Sequence, residues 1–149
     1  MPDGMWDRGP IPAELARFPG YLLARLGEAS RRRFGAALKE QQLHPRDFGV
    51  LTLIDSDPGL TQQQLHERTG IDPSSMVAII DELESDGLAE RRPHPGDRRA
   101  RSIHLTDRGE QTLAEVRRIA AGLQGEMFGR LTKEELATLH ELLRKLAGA

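Results

Sequence analysis

Between Thr61 and Gly87 the sequence starts two helices with only a glycine-centred turn between them, and this restricts the fold more than any other feature of the chain. Thr61 followed three residues later by Gln64 is a capping box: each side chain can satisfy a backbone N–H that the first helical turn leaves without a partner. The helix it opens is short and stops at Gly70, a residue that accepts the left-handed conformation of a helix end. Asp72 then supplies an acidic N-cap and Pro73 a first-turn residue whose φ is already set, with Met76, Ile80 and Leu83 as a core-facing stripe up to Gly87. Two helices joined in this way form a helix-turn-helix, whose second helix is suited to a DNA major groove.

Charge is segregated around this unit although the net charge is only −2. Asp81, Glu82, Glu84, Asp86 and Glu90 lie in a stretch without Lys or Arg, and Arg91, Arg92, Arg98, Arg99 and Arg101 follow against Asp97 alone. A basic strip beside structured elements can follow a phosphate backbone while acids elsewhere keep the protein soluble. The bland alternative is a solvated, ion-paired loop, worth under about 1 kcal/mol. Leu88–Arg92 and Arg101–Leu105 alternate in part and are separated by Pro93, Pro95, Gly96 and Asp97, so a β-hairpin with arginines at its tip is expected.

Helical periodicity frames this centre. After Pro19 and Gly20, Leu22, Leu26, Ala29, Ala37 and Leu38 recur at helical spacing, and Pro45 opens a second helix carrying Phe48, Leu51 and Ile54 until Asp57, Pro58 and Gly59 end it. Thr106 can cap a helix bearing Leu113, Val116, Ile119 and Leu123. Thr132 with Glu135 opens a last one with a stripe of Leu136, Leu139, Leu142, Leu143 and Leu146. The proline- and glycine-rich residues 1–17 are expected to form a mobile arm, in which Trp6 remains free to pack elsewhere.

Several function classes drop out. The chain has 149 residues and no cysteine, which removes disulfides, thiolate metal sites and thiol switches. His44, His66, His94, His104 and His140 show no metal-ligand spacing, the acids read as a solvated helix face, and no glycine-rich phosphate loop follows a strand. No enzyme, cofactor or metal site is expected. No apolar run is long enough to span a bilayer and no secretory signal is apparent, so the expectation is no membrane partner and a cytoplasmic location. A helical adaptor that binds a partner helix through the leucine stripe is the competing class; it leaves the arginine hairpin unexplained.

The segment DPSSMVAIIDELESDGLAERRPHPGDRRARSIHLTDRG resembles the core of the MarR family of bacterial regulators, and its Asp-x-Arg signature with a following β-branched residue and Leu-Thr is matched by Asp97, Arg99, Ile103, Leu105 and Thr106. The resemblance implies a mainly α-helical winged helix-turn-helix subunit with a small β-hairpin wing and N- and C-terminal dimerisation helices. Residues 18–42 and 107–149 would dimerise and 43–106 bind DNA. It further implies a homodimeric repressor on a double-stranded DNA operator. Ser74, Ser75, Val77 and Ala78 of the recognition helix and Arg91, Arg98, Arg99 and Arg101 of the wing are the expected DNA contacts, with Arg99 in a minor groove and Arg98 and Arg101 on phosphates. Family members often carry a basic residue at the positions of Ala78 and Glu82. Without them direct base readout should be modest. By the same resemblance, a small aromatic or phenolic acid would bind in a cleft lined by Tyr21, Arg25, His44 and Phe48, with core packing or capping as the alternative for these side chains.

Overall fold

The computed structural model describes residues 9–149, so Trp6 and most of the expected arm lie outside the described residues. Its helices are α1 (Ala13–Ala16), α2 (Pro19–Ala37), α3 (Pro45–Ser56), α4 (Gln62–Thr69), α5 (Pro73–Ser85), α6 (Asp107–Phe128) and α7 (Lys133–Ala147), with strands β1 (Ala89–His94) and β2 (Asp97–Leu105) between α5 and α6. One helical turn, α1, thus sits within the stretch read as an arm. The chain divides into two compact units, one running through Phe34 and resuming at Ala120–Ala149, the other Gly35–Ile119.

The second unit carries the core. Val50, Leu51 and Ile54 of α3, Leu65 of α4, Met76, Ile79 and Ile80 of α5, Ile103 of β2 and Leu113 and Val116 of α6 are all sealed from solvent. The expected caps are formed: Thr61 Oγ1 accepts from the Gln64 N–H at 3.2 Å while Gln64 accepts from the Thr61 N–H at 2.9 Å, and Gly70 ends α4 at φ +71°. At α5, Asp72 Oδ1 accepts from the Ser75 N–H at 2.9 Å.

The hairpin is antiparallel, from Ala89 opposite Leu105 to Arg92 opposite Ser102, and its strands run further than the sequence suggests. Pro93 lies inside β1, where the register shifts before His94 meets Asp97; a proline is tolerated on such an edge strand at an irregularity because the ladder there lacks its donor anyway. The loop after α3 joins the sheet too. The Gly59 N–H donates to Ile103 O at 3.0 Å and the Ile103 N–H to Leu60 O at 2.8 Å, ties beyond the helix stop that Gly59 marks in the sequence.

In the first unit Ala29 is buried, but Leu15, Phe18, Leu23, Leu131, Leu142, Leu143 and Leu146 are exposed, Leu146 at 75%. The leucine stripe of α7 is real as a helical face and largely uncovered within the chain. Among the described residues no helix is long and apolar enough to cross a membrane.

Candidate nucleic-acid interface

Helix α5 and the hairpin both belong to the Gly35–Ile119 unit. Ser74, Val77 and Ala78 are exposed and Ser75 is half-buried, so all four expected recognition-helix residues reach solvent on the N-terminal part of α5. Ser74 Oγ donates to Asp72 Oδ1 at 2.6 Å, and with the bonds from Ser75 this holds the Asp72 carboxyl well below the usual carboxylate range. The cap therefore remains an anion and fixes the end of α5 that would enter a groove. This face offers hydroxyls, a valine and an alanine, suited to single hydrogen bonds and methyl contacts.

The wing arginines separate into two groups. Arg98, Arg99 and Arg101 are exposed, and among the described residues their guanidinium groups have no protein partner. The Arg99 N–H donates to Asp97 Oδ1 at 2.8 Å, so Asp97 shapes the turn through the backbone. Three cations thereby stand free beside a hairpin tip.

Arg91 is placed differently. Its side chain is 22% exposed and turned back onto the helices: Nη1 donates to Glu84 Oε2 at 2.5 Å, Nη2 to Asp81 Oδ1 at 2.6 Å, and Nε and Nη2 to Gln62 Oε1 at 3.1 and 2.9 Å. Burial works against its charge, and the bonds to Asp81 and Glu84 outweigh that, so the guanidinium is held charged. Arg92 pairs with Glu90 on its own strand. Of the remaining acids, Glu82 accepts from Arg46 of α3 at 3.3 Å. The acidic stretch is thus largely paired while its side chains stay exposed to solvent, as a solvated face would be.

Tyr21 and Arg25 lie on α2 in the first unit, both half-buried, with Arg25 Nη2 donating to Gly9 O at 3.4 Å; His44 and Phe48 belong to the second unit. His44 is the exposed N-cap of α3, and its N–H donates to Oδ2 of the buried Asp47 at 2.7 Å. A cavity of about 160 Å³ inside the second unit is lined by other residues, among them Glu40, Asp86 and Arg108. Among the described residues no group of His, Asp and Glu could hold a metal ion.

Residues 41–100 match the sequence model of the MarR family. A protein of Thauera aromatica whose assigned role is transcriptional regulation of the hcr operon is 33% identical over 128 residues, covering 85% of this chain and 77% of that protein. Among solved structures, the transcriptional repressor CouR bound to a 23-mer DNA duplex superposes with a TM-score of 0.83 at 31% identity, over 93% of this chain and 99% of the other. CouR from Rhodococcus jostii RHA1 bound to p-coumaroyl-CoA superposes with a TM-score of 0.79 at 28% identity, over 91% and 96% of the two chains.

Proposed function

The chain belongs to the MarR family of transcriptional regulators, and from that membership we propose that it is a cytoplasmic homodimeric repressor that occupies a pseudo-palindromic operator and leaves it when a small aromatic or phenolic acid, free or as its thioester, binds. The observation that carries this reading is the combination of an exposed, uncharged N-terminal face on α5 with three exposed arginines, Arg98, Arg99 and Arg101, that have no partner within the described chain. A solvated ion-pair surface would pair those charges internally; phosphates and a minor groove are what unpaired guanidinium groups suit. Ser74, Ser75, Val77 and Ala78 then read bases, with residues 43–106 as the DNA-binding region.

Dimerisation through residues 18–42 and 107–149 is supported by the uncovered leucines of α7 together with Phe18 and Leu23, an apolar surface that a lone subunit would leave in water. The ligand class is supported by CouR, which holds the thioester of an aromatic acid. Tyr21, Arg25, His44 and Phe48 remain the proposed contacts for it.

A gel shift on the DNA upstream of the protein's own gene, against scrambled DNA, tests the reading. A specific complex with two half-sites about 10 bp apart, or a multiple of that, is expected in footprints, and 4-hydroxybenzoate or p-coumaroyl-CoA should dissolve it. Equal affinity for operator and scrambled DNA at every salt concentration would contradict it.

A further inference from the structure

Arg91 reaches α4, α5 and its own strand at once. Asp81 and Glu84 are three residues apart on α5 and so share the helix side that faces β1; Gln62, in the first turn of α4, closes the remaining side of the guanidinium. The Arg91 backbone joins in, its N–H donating to Glu84 Oε1 at 3.3 Å. Across the ladder Arg91 stands opposite the buried Ile103, at the root of the wing, while Arg98 and Arg99 lie at its far end. A two-stranded hairpin holds itself poorly in water, so the direction of its tip depends on how its root is anchored.

Two carboxylates surround one guanidinium here, and a group so paired has little left to offer a phosphate. Yet these acids flank the proposed reading face, where negative charge should repel DNA. Resting on the DNA-binding reading above, we propose that Arg91 is a positioning residue rather than a DNA contact, and that Asp81, Glu84 and Gln62 raise operator affinity by locking the wing to the recognition helix through it. The planar fork matters: a lysine ammonium at this position cannot meet acceptors on α4 and α5 in two directions at once.

The sign of one substitution separates this from the alternatives. Glu84→Ala removes a negative charge beside the DNA face, which by electrostatics alone tightens binding to every duplex. The positioning role instead predicts operator affinity weaker by roughly tenfold with random-DNA affinity unchanged or slightly stronger, a fall in the ratio of the two. Arg91→Ala should lower the ratio equally, Arg91→Lys should not restore it, and the double variant Arg91→Ala/Glu84→Ala should cost no more than either single change. Binding to operator and random duplexes is read by fluorescence anisotropy at several salt concentrations, with urea unfolding run on each variant. If a variant fails to unfold cooperatively, the isosteric Asp81→Asn is read in its place and should also lower the ratio. Tighter binding of Glu84→Ala to both duplexes, with Arg91→Ala lowering the salt slope by about one on each, would make Arg91 a phosphate contact and overturn the proposal. An unchanged ratio in folded variants would overturn it equally. A wild-type protein that does not prefer its operator would instead remove the DNA-reading premise, and the positioning role with it.

Discussion

The main chain of Gly109 packs so closely on Leu88 that a Cβ at position 109 would lie 1.9 Å from the Leu88 carbonyl oxygen. That carbonyl also accepts from the Thr106 N–H at 3.1 Å, and Thr106 Oγ1 donates to Gly87 O at 2.6 Å while accepting from the Gly109 N–H at 3.0 Å. The Leu-Thr of the family signature and the glycine after it thus fasten the start of α6 to the root of the wing. Gly109→Ala should destabilise the fold by ~3 kcal/mol, because backbone and not a flexible side chain must move. Thr106→Val, which keeps the shape and loses the cap, should cost ~1–2 kcal/mol. Urea unfolding checks both, and a Gly109→Ala protein as stable as wild type would contradict the packing.

Helix starts were legible in the sequence because each is a matter of neighbouring residues: Thr61 with Gln64, Asp72 with Ser75, and Thr132 with Glu135 all form the predicted caps. What depended on tertiary register was not. Charge counting treats Arg91 and Arg99 alike, yet the first opposes buried Ile103 and meets α5, while the second stands near a free tip. The spacing of Asp81 and Glu84 on one helix side was the available signal for Arg91, and it became meaningful only once β1 was set beside α5. The pairing of Gly59 and Leu60 with Ile103 had no local signature at all.

The α7 leucines carry the second prediction. Leu142 and Leu146 are 55% and 75% exposed, so replacing them on a lone subunit would cost little. In the proposed dimer they are covered, and Leu142→Glu with Leu146→Glu should yield monomers by light scattering that have lost operator binding. A double variant that remains dimeric would place the subunit contact elsewhere.

Asp47 carries a pH prediction. Burial raises its carboxyl pKa above the ordinary value, against the opposing effects of the His44 N–H and of Arg46. The folded state then binds a proton at Asp47 more readily than the unfolded one, so its contribution to stability falls as pH rises through the interval above the ordinary carboxylate value. Asp47→Asn keeps an acceptor for the His44 N–H and removes the titration. The stability difference, variant minus wild type, should therefore grow in the variant's favour as pH rises above the ordinary carboxylate value, measured by urea midpoints. A difference independent of pH would contradict the assignment.

On the proposed reading Arg98 and Ser75 divide the labour of binding. Arg98→Ala should weaken operator and random DNA about equally and lower the salt slope by roughly one. Ser75→Ala should leave the slope nearly untouched and change which central bases are preferred, as a selection from randomised operators would record.

The most direct measurement of the account is the operator affinity of Arg99→Ala beside wild type at one salt concentration. Arg99, whose N–H donates to Asp97 Oδ1 and whose guanidinium has no partner among the described residues, is the group proposed to enter a minor groove. The variant should bind operator ~1–3 kcal/mol more weakly and lose part of its preference for narrow A·T-rich flanks. Wild-type affinity in Arg99→Ala would contradict it and return the wing arginines to a solvated surface.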